Sequence, residues 1–224
     1  VLGFLSYLTK YTDWRGPFLI IVRNNSFDKW CSAIENWTDL KYVPYISGPA
    51  QRSIMREHQF EALDDCGESI PDTFGFNIFL VTYDVFMSDL DFLQKTNWQV
   101  VIADEGHRLK NKNGKKNIAI SSLNALHRII ITGCPIQNTL GEFWTLLRFV
   151  SPNQFQDSPD FLFKDIKDLT KTQIYTLCER IKEHVLRRLL QDERSIPPRD
   201  EKIAFVSLTP VQRDLIRLAK LDQL

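Results

Sequence analysis

The stretch VVIADEGHRLKNKNGKK (residues 100–116) decides the fold. An apolar run passes straight into Asp104 and Glu105, and His107 and a cluster of cations follow. Burying charge without a partner costs several kcal/mol. A buried strand that ends on two adjacent carboxylates therefore needs something for them to face. A metal ion, a phosphate and a water together meet that need. In parallel α/β sheets, ligands sit at the carboxyl ends of the strands.

Working outward, three further apolar runs read as strands: PFLIIV (17–22), NIFLVTY (77–83) and RIIIT (128–132). KYVPYI (41–46) is a weaker strand, because Pro44 interrupts it. Helical patterns alternate with these runs, over 1–10, from a Ser26 cap to about Trp37, over 50–62, from the third strand to about Thr96, over 117–126 and over 141–150. In the second of these, Phe27, Trp30, Ile34 and Trp37 share one face and are expected in the core. Residues 63–76, rich in Asp, Gly, Ser and Pro, read as a surface excursion. Short apolar strands alternating with helices predict an α/β fold: a three-layer parallel sheet with helices on both faces and right-handed crossovers. Past residue 155 the pattern turns helical, over 159–166 and 172–190 and again from Pro210, with a possible strand at 201–208. A division into 1–155 and 156–224 is expected.

The 224 residues hold 28 Lys+Arg and 28 Asp+Glu, so no global field draws the chain to nucleic acid, and any basic surface must be local. No apolar run approaches the ~20 residues of a membrane span. Cys31, Cys66, Cys134 and Cys178 are widely spaced, without a CxxC pair, which indicates neither a zinc site nor a disulfide framework and points to a reduced compartment. The chain opens on Val within a helical pattern and is expected to be a segment of a longer protein.

Polar groups follow each strong strand: Arg23-Asn24-Asn25, Thr82-Tyr83-Asp84, Asp104-Glu105 and Thr132-Gly133. Four polar strand ends facing one crevice form a site pattern. An Asp at the end of an apolar strand holds Mg²⁺ in nucleoside triphosphatases, and a following Glu can orient or deprotonate water. On the dipeptide alone, acids decorating a helix N-terminus are the larger alternative.

The next block shifts that balance. ITGCPIQNTLGEFWTLLRFVSP (131–152), taken with DEGHRLKN, closely resembles the helicase-like ATPases of superfamily two, Swi/Snf branch. That family's second motif reads Asp-Glu-Ala/Gly-His, a DEAH-box-like set, and its third reads Thr-Gly-Thr-Pro-Leu-Gln-Asn before a Glu-Leu-Trp helix. GPFLIIVRNNSFDKW (16–30), FNIFLVTYD (76–84) and HVLRRLLQDERSIPPRDE (184–201) resemble further family blocks in the same order. YISGPAQRSIMREHQF (45–60) is similar to the chromodomain-helicase (CHD) type of chromatin remodeller.

The resemblance implies the first RecA-like lobe of a P-loop NTPase with a helical extension, working in the nucleus on double-stranded DNA and nucleosomes beside other remodeller subunits. It implies ATP and Mg²⁺, with Asp104 holding the metal, Glu105 positioning the hydrolytic water, and His107 coupling that site to Thr132 and Gln137. Thr132 would also belong to the nucleotide site. Arg23, Asn24, Asn25, Thr82 and Tyr83 would touch the DNA backbone, with Arg108 and Lys110 from the basic cluster, which reads equally as a solvated loop.

Some features depart from the family pattern. No Gly-x-x-x-x-Gly-Lys-Ser/Thr loop occurs, and Gly114-Lys115-Lys116 is the nearest approach. The chain is therefore expected to begin just after its phosphate loop, and the second lobe to lie beyond Leu224. Cys134 stands for the usual Thr and Arg23 for the usual Pro. These departures keep a second reading open: a diverged, non-catalytic scaffold for DNA or protein.

Overall fold

The computed structural model describes residues 1–58, 60–63, 69–137, 139–156, 169–189 and 200–221. They divide into two compact units, Val1–His184 and Val185–Leu224.

The first unit opens with α1 (Leu2–Tyr11), β1 (Phe18–Val22), α2 (Phe27–Trp37), β2 (Tyr42–Tyr45) and α3 (Pro49–His58). A short antiparallel pair follows, β3 (Glu61–Leu63) with β4 (Ser69–Phe74): the helix expected over 50–62 ends at His58, and the excursion expected over 63–76 carries strand pairing. An aromatic group anchors this part of the chain: the Phe60 ring lies within 6 Å of those of Phe74, Phe76, Phe79 and Phe92. Next come β5 (Ile78–Thr82), α4 (Tyr83–Ser88), α5 (Leu90–Leu93), β6 (Trp98–Asp104), α6 (Lys115–Ser121), β7 (Ala125–Ile131), α7 (Leu140–Val150) and α8 (Lys171–Ile181).

Five strands form one sheet in the order β2-β5-β1-β6-β7, and every pairing is parallel. β1 and β5 are buried along their whole length and β6 along most of it, so period-two alternation buries both faces at the centre of the sheet. Leu19, Ile21, Phe79, Val81, Val101 and Ala103 meet α4, α5, α6 and one side of α7 on one face. Phe18, Ile20, Val22, Ile78, Leu80, Val100 and Ile102 meet α1 and α2 on the other. The expected three-layer architecture is present. Pro44 is accommodated because β2 is an edge strand, where a missing N–H costs no ladder bond. Gly16 turns the chain into β1 at φ 103°, and a Cβ there would lie 2.6 Å from the Asn77 carbonyl oxygen.

Several boundaries differ from the sequence reading. Trp37, expected in the core, is 82% exposed: it is the last residue of α2, whose buried residues are Phe27 and Ile34. The helix expected to run to Thr96 is split at Asp89, whose backbone leaves the helical region. The helix expected over 117–126 ends at Ser121, and its last residues open β7. The one expected over 172–190 ends at Ile181. The helix expected over 159–166 lies outside the described residues. α8 is closed by a reciprocal Thr170–Gln173 capping box and packs its Leu177 beside Trp144 and Phe155.

In the second unit, α9 (Pro210–Leu221) begins at the expected proline. Residues 201–208 form no strand: Phe205 is 97% exposed, and among the described residues no neighbouring strand takes up their backbone bonds. Among the described residues, no helix is long and apolar enough to cross a membrane.

The split at Asp89 has a cause. Its carboxylate accepts from Arg52 Nε at 2.7 Å and from the Tyr45 hydroxyl at 2.7 Å, and Arg52 also donates to the Ser47 carbonyl at 2.7 Å. Burial opposes ionisation of Asp89, but the bonds from Arg52 and Tyr45 and the Arg52 charge outweigh it and hold the carboxyl below its usual range. The Arg52 and Asp89 side chains are only 9% and 10% exposed. Removing one partner of such a pair strands a buried charge, so Arg52→Ala is expected to cost about 3 kcal/mol in urea unfolding at pH 7. The lowered pKa makes the pair's contribution full above about pH 4 and lost below it, so wild type and Arg52→Ala should converge in acid.

Candidate functional site

β6 is an interior strand, flanked by β1 and β7. Its last residue, Asp104, pairs in register with Ile131, while Ile21 pairs with Ala103 and Val22 with Thr82. The polar residues after β1, β5, β6 and β7 therefore emerge from one end of the sheet, as the strand pattern predicts.

Asp104 is held on every side. Trp30 Nε1 donates to its Oδ2 at 2.9 Å, the Glu105 backbone N–H donates to its Oδ1 at 2.9 Å, and the Tyr83 hydroxyl donates to its carbonyl at 2.8 Å. Tyr83 is fully buried. Burial, then the nearby Asp104 charge, pushes its phenol well above the ordinary range, so it stays a proton donor. Each Asp104 oxygen keeps acceptor capacity beyond its one bond.

Glu105 sits at φ 51°, ψ 45°, the one non-glycine residue with positive φ among those described. This left-handed kink breaks the strand direction and starts a one-turn 3-10 helix, Gly106–Leu109. His107 Nδ1 lies 3.3 Å from Glu105 Oε2. Gly106 is packed so closely that a Cβ would intrude on the Ile130 side chain. Strained backbone of this kind concentrates at functional sites.

His107 thus stands against Glu105, and a different residue reaches the third motif. Lys110 Nζ donates to Gln137 Oε1 at 2.8 Å and lies 3.3 Å from Glu142. Thr132, half-buried, accepts from the Cys134 backbone N–H at 3.2 Å, and the Cys134 thiol donates to the Ile136 carbonyl at 3.3 Å. Cys134 therefore closes its own turn despite lacking the usual hydroxyl.

A cleft of about 260 Å³ opens beside Asp104, lined by Arg23, Asn24, Asn25, Tyr83, Asp84 and Arg108. Asn24 donates to Asp84 at 3.3 Å across it, and Arg108 and Lys116 lie over the Tyr83 ring at 5.7 and 5.5 Å. Of the residues expected to meet DNA, Arg23, Asn24, Asn25 and Arg108 face this cleft. Thr82 does not: it is buried, and its hydroxyl caps α4 through the Val85 N–H. Tyr83 forms the wall, with its hydroxyl turned inward to Asp104. Sequence reasoning missed the part played by Trp30. A core tryptophan and one bonded to a carboxylate occupy the same helical stripe, so spacing carries no signal that separates them.

Among the described residues, no three His, Cys, Asp or Glu side chains form a metal-holding group. A single carboxylate at the strand tip suits Mg²⁺, which is commonly held by one or two carboxylates with waters and substrate phosphates completing its shell.

Comparison with known proteins places this geometry. The profile of the SNF2-related domain matches residues 1–220. Chromodomain-helicase-DNA-binding protein 8 of Danio rerio is 35% identical over 206 residues, covering 91% of this chain and 8% of its own. Its Homo sapiens counterpart is 34% identical over 204 residues, covering 90% and 8%. Protein CHROMATIN REMODELING 5 of Arabidopsis thaliana is 30% identical over 213 residues, covering 93% and 12%. The chain thus spans about a tenth of the length of these relatives. The Sulfolobus solfataricus SWI2/SNF2 ATPase core, solved in complex with dsDNA, shares the fold with a TM-score of 0.63 at 21% identity, covering 82% of this chain and 36% of that one.

The left-handed Glu105 yields a direct expectation. A non-glycine residue in that region costs roughly 1–2 kcal/mol, partly offset by glycine's own entropy. Glu105→Gly should therefore leave the protein as stable or up to about 1 kcal/mol more stable, read from urea midpoints. A clear loss of stability would mean that the carboxylate itself holds the fold.

Proposed function

The chain belongs to the SNF2-related domain family, and from that premise we propose that it forms part of the ATPase motor of a chromatin remodeller of the chromodomain-helicase type, a nuclear translocase on double-stranded DNA. In this reading residues 1–155 are the first motor lobe and 156–224 an extension toward a second. Nucleosomes and further remodeller subunits are the partners. The observation that carries the reading is the Asp104-Glu105 pair at the tip of an interior parallel strand, beside a cleft with two arginines and two asparagines.

Each group has a task. Asp104, its carboxylate plane fixed by Trp30 and the Glu105 N–H, would hold the Mg²⁺ of MgATP directly or through a water. That ion, when bound, neutralises charge on the phosphates. Glu105, turned out of the strand by its backbone, would accept a proton from the attacking water or orient it. His107, 3.3 Å from it, would hold its orientation. Thr132 would lie at the nucleotide, and Gln137 would follow its state through Lys110. Arg23, Asn24, Asn25, Arg108 and Lys110 would meet the phosphodiester backbone, which fixes position and carries no sequence information.

The scaffold reading draws on Arg23 and Cys134. Cys134 still closes its turn, and Arg23 adds a cation to a cleft suited to phosphate. Arg23 fits a DNA-binding scaffold as well as a motor, and the closed Cys134 turn removes one ground for the scaffold reading.

The test uses the complete protein carrying this segment. Asp104→Asn and Glu105→Gln should each lower DNA-stimulated ATP hydrolysis, Glu105→Gln by about 10²–10⁴-fold, the range of a lost acid–base group, with an unchanged melting temperature, and Asp104→Asn with a lower one, because its amide turns a donor onto the Trp30 or the Glu105 N–H. Turnover equal to wild type in both variants would remove the proposed roles. DNA affinity should fall steeply with salt, since phosphate contacts release counterions.

A further inference from the structure

Trp30 does something the proposed roles do not require of it. A buried indole N–H needs an acceptor and usually takes what packing offers. Trp98 Nε1 donates to the Leu93 carbonyl at 2.9 Å, and Trp144 Nε1 is buried with no hydrogen-bond partner among the described residues. Trp30 instead donates to Oδ2 of Asp104, 74 residues away in the chain and at the tip of β6. A hydrogen bond to a charged group is stronger and more directional than one to a carbonyl. It fixes the plane in which the remaining lone pairs of Asp104 point.

The position of Trp30 in the chain matters as much as its bond. Arg23, Asn24 and Asn25 line the cleft. The segment from Asn24 to Ser26 is a single 3-10 turn, closed by the Ser26 N–H on the Arg23 carbonyl at 3.0 Å. It runs without a break into α2, where Phe27 is buried and Trp30 lies one turn on. No flexible link separates the cleft residues from the indole. On the other side of the cleft, Tyr83 lines the wall and donates to the Asp104 backbone carbonyl at 2.8 Å. Segments from both walls of the cleft therefore end on the same aspartate, one on its side chain and one on its main chain.

We infer that Trp30 and Tyr83 are positioning residues that couple occupancy of the Arg23–Asn25 cleft to the orientation of the Asp104 carboxylate. The inference rests on the proposed function, with a phosphodiester backbone in the cleft and Mg·nucleotide at Asp104. A shift of the 24–26 turn on a bound phosphate would move the start of α2, and with it the indole that sets the carboxylate plane. By reciprocity, nucleotide at Asp104 would alter DNA affinity by the same factor.

The experiment measures that factor in the complete protein. Duplex DNA affinity is determined with and without Mg²⁺ and a non-hydrolysable ATP analogue, and the ratio of the two is the coupling. Trp30→Phe keeps the aromatic packing and removes the donor. Where wild type shows coupling in the common range of about 5–150-fold, Trp30→Phe should bring the ratio close to one. Its nucleotide-free DNA affinity should stay within about twofold, a margin small beside that coupling range. Trp37→Phe, on the same helix but 82% exposed, should keep the wild-type ratio. Tyr83→Phe removes only the hydroxyl and should also lower the ratio, and it decides the matter if Trp30→Phe melts early. A wild-type ratio of one, or wild-type coupling in both Trp30→Phe and Tyr83→Phe, overturns the inference. Asp104→Asn separates this failure from that of the site itself. If that variant binds Mg·nucleotide like wild type, the site reading falls and the inference with it. If it loses binding while both tryptophan and tyrosine variants keep coupling, only the inference falls.

Discussion

A carboxylate at the end of a buried strand is the constraint around which this domain is arranged. Asp104 follows residues that are fully enclosed by helices on both faces of the sheet. The Tyr83 hydroxyl at the start of α4 holds the Asp104 backbone carbonyl, and the Asp104 charge is met by two donors to the carboxylate, from α2 and from its own neighbour. The last of these goes together with Glu105 standing in a left-handed conformation. The same kink that gives Asp104 its N–H donor turns Glu105 out of the strand direction and brings it against His107. The strained backbone and the site thus share one local arrangement.

The rest of the fold serves that end of the sheet. Parallel registration lines up the ends of β1, β5, β6 and β7, so residues distant in sequence share one rim. Helices after the strands supply the second line of contacts. Lys110 ties the loop after β6 to Gln137 and Glu142, and Lys116 approaches Asp84 beyond β5. The Arg52–Asp89–Tyr45 cluster fastens α3 to the elbow between α4 and α5 and so holds the end of α4, while the Thr82 cap holds its start, where Tyr83 stands.

Much of this was legible in the sequence. Four largely apolar runs alternating with helical stripes dictate a parallel sheet with helices on both faces, and the polar residues after each run mark its working edge. The resemblance of 100–116 and 131–152 to a known ATPase branch pointed to the family that comparison then showed. What stayed hidden is long-range. Nothing in the spacing of Phe27, Trp30, Ile34 and Trp37 says that one reaches a carboxylate and another faces solvent. Thr82 reads as a rim residue, yet its hydroxyl is consumed as a helix cap. His107 was expected to reach the third motif, but the longer Lys110 spans that gap. Residues 63–76 look like loop by composition, and the ring contact of Phe60 with Phe74 at the end of β4 is tertiary.

The central claim is that nucleotide and metal meet this chain at the tip of β6. The most direct measurement is a structure of the complete protein with Mg²⁺ and a non-hydrolysable ATP analogue. The account predicts the ion at Asp104, either at about 2.0–2.1 Å or one water removed, with Glu105 facing the terminal phosphate. Nucleotide bound away from the ends of β1, β5, β6 and β7, with Asp104 still occupied only by its protein donors, would contradict it.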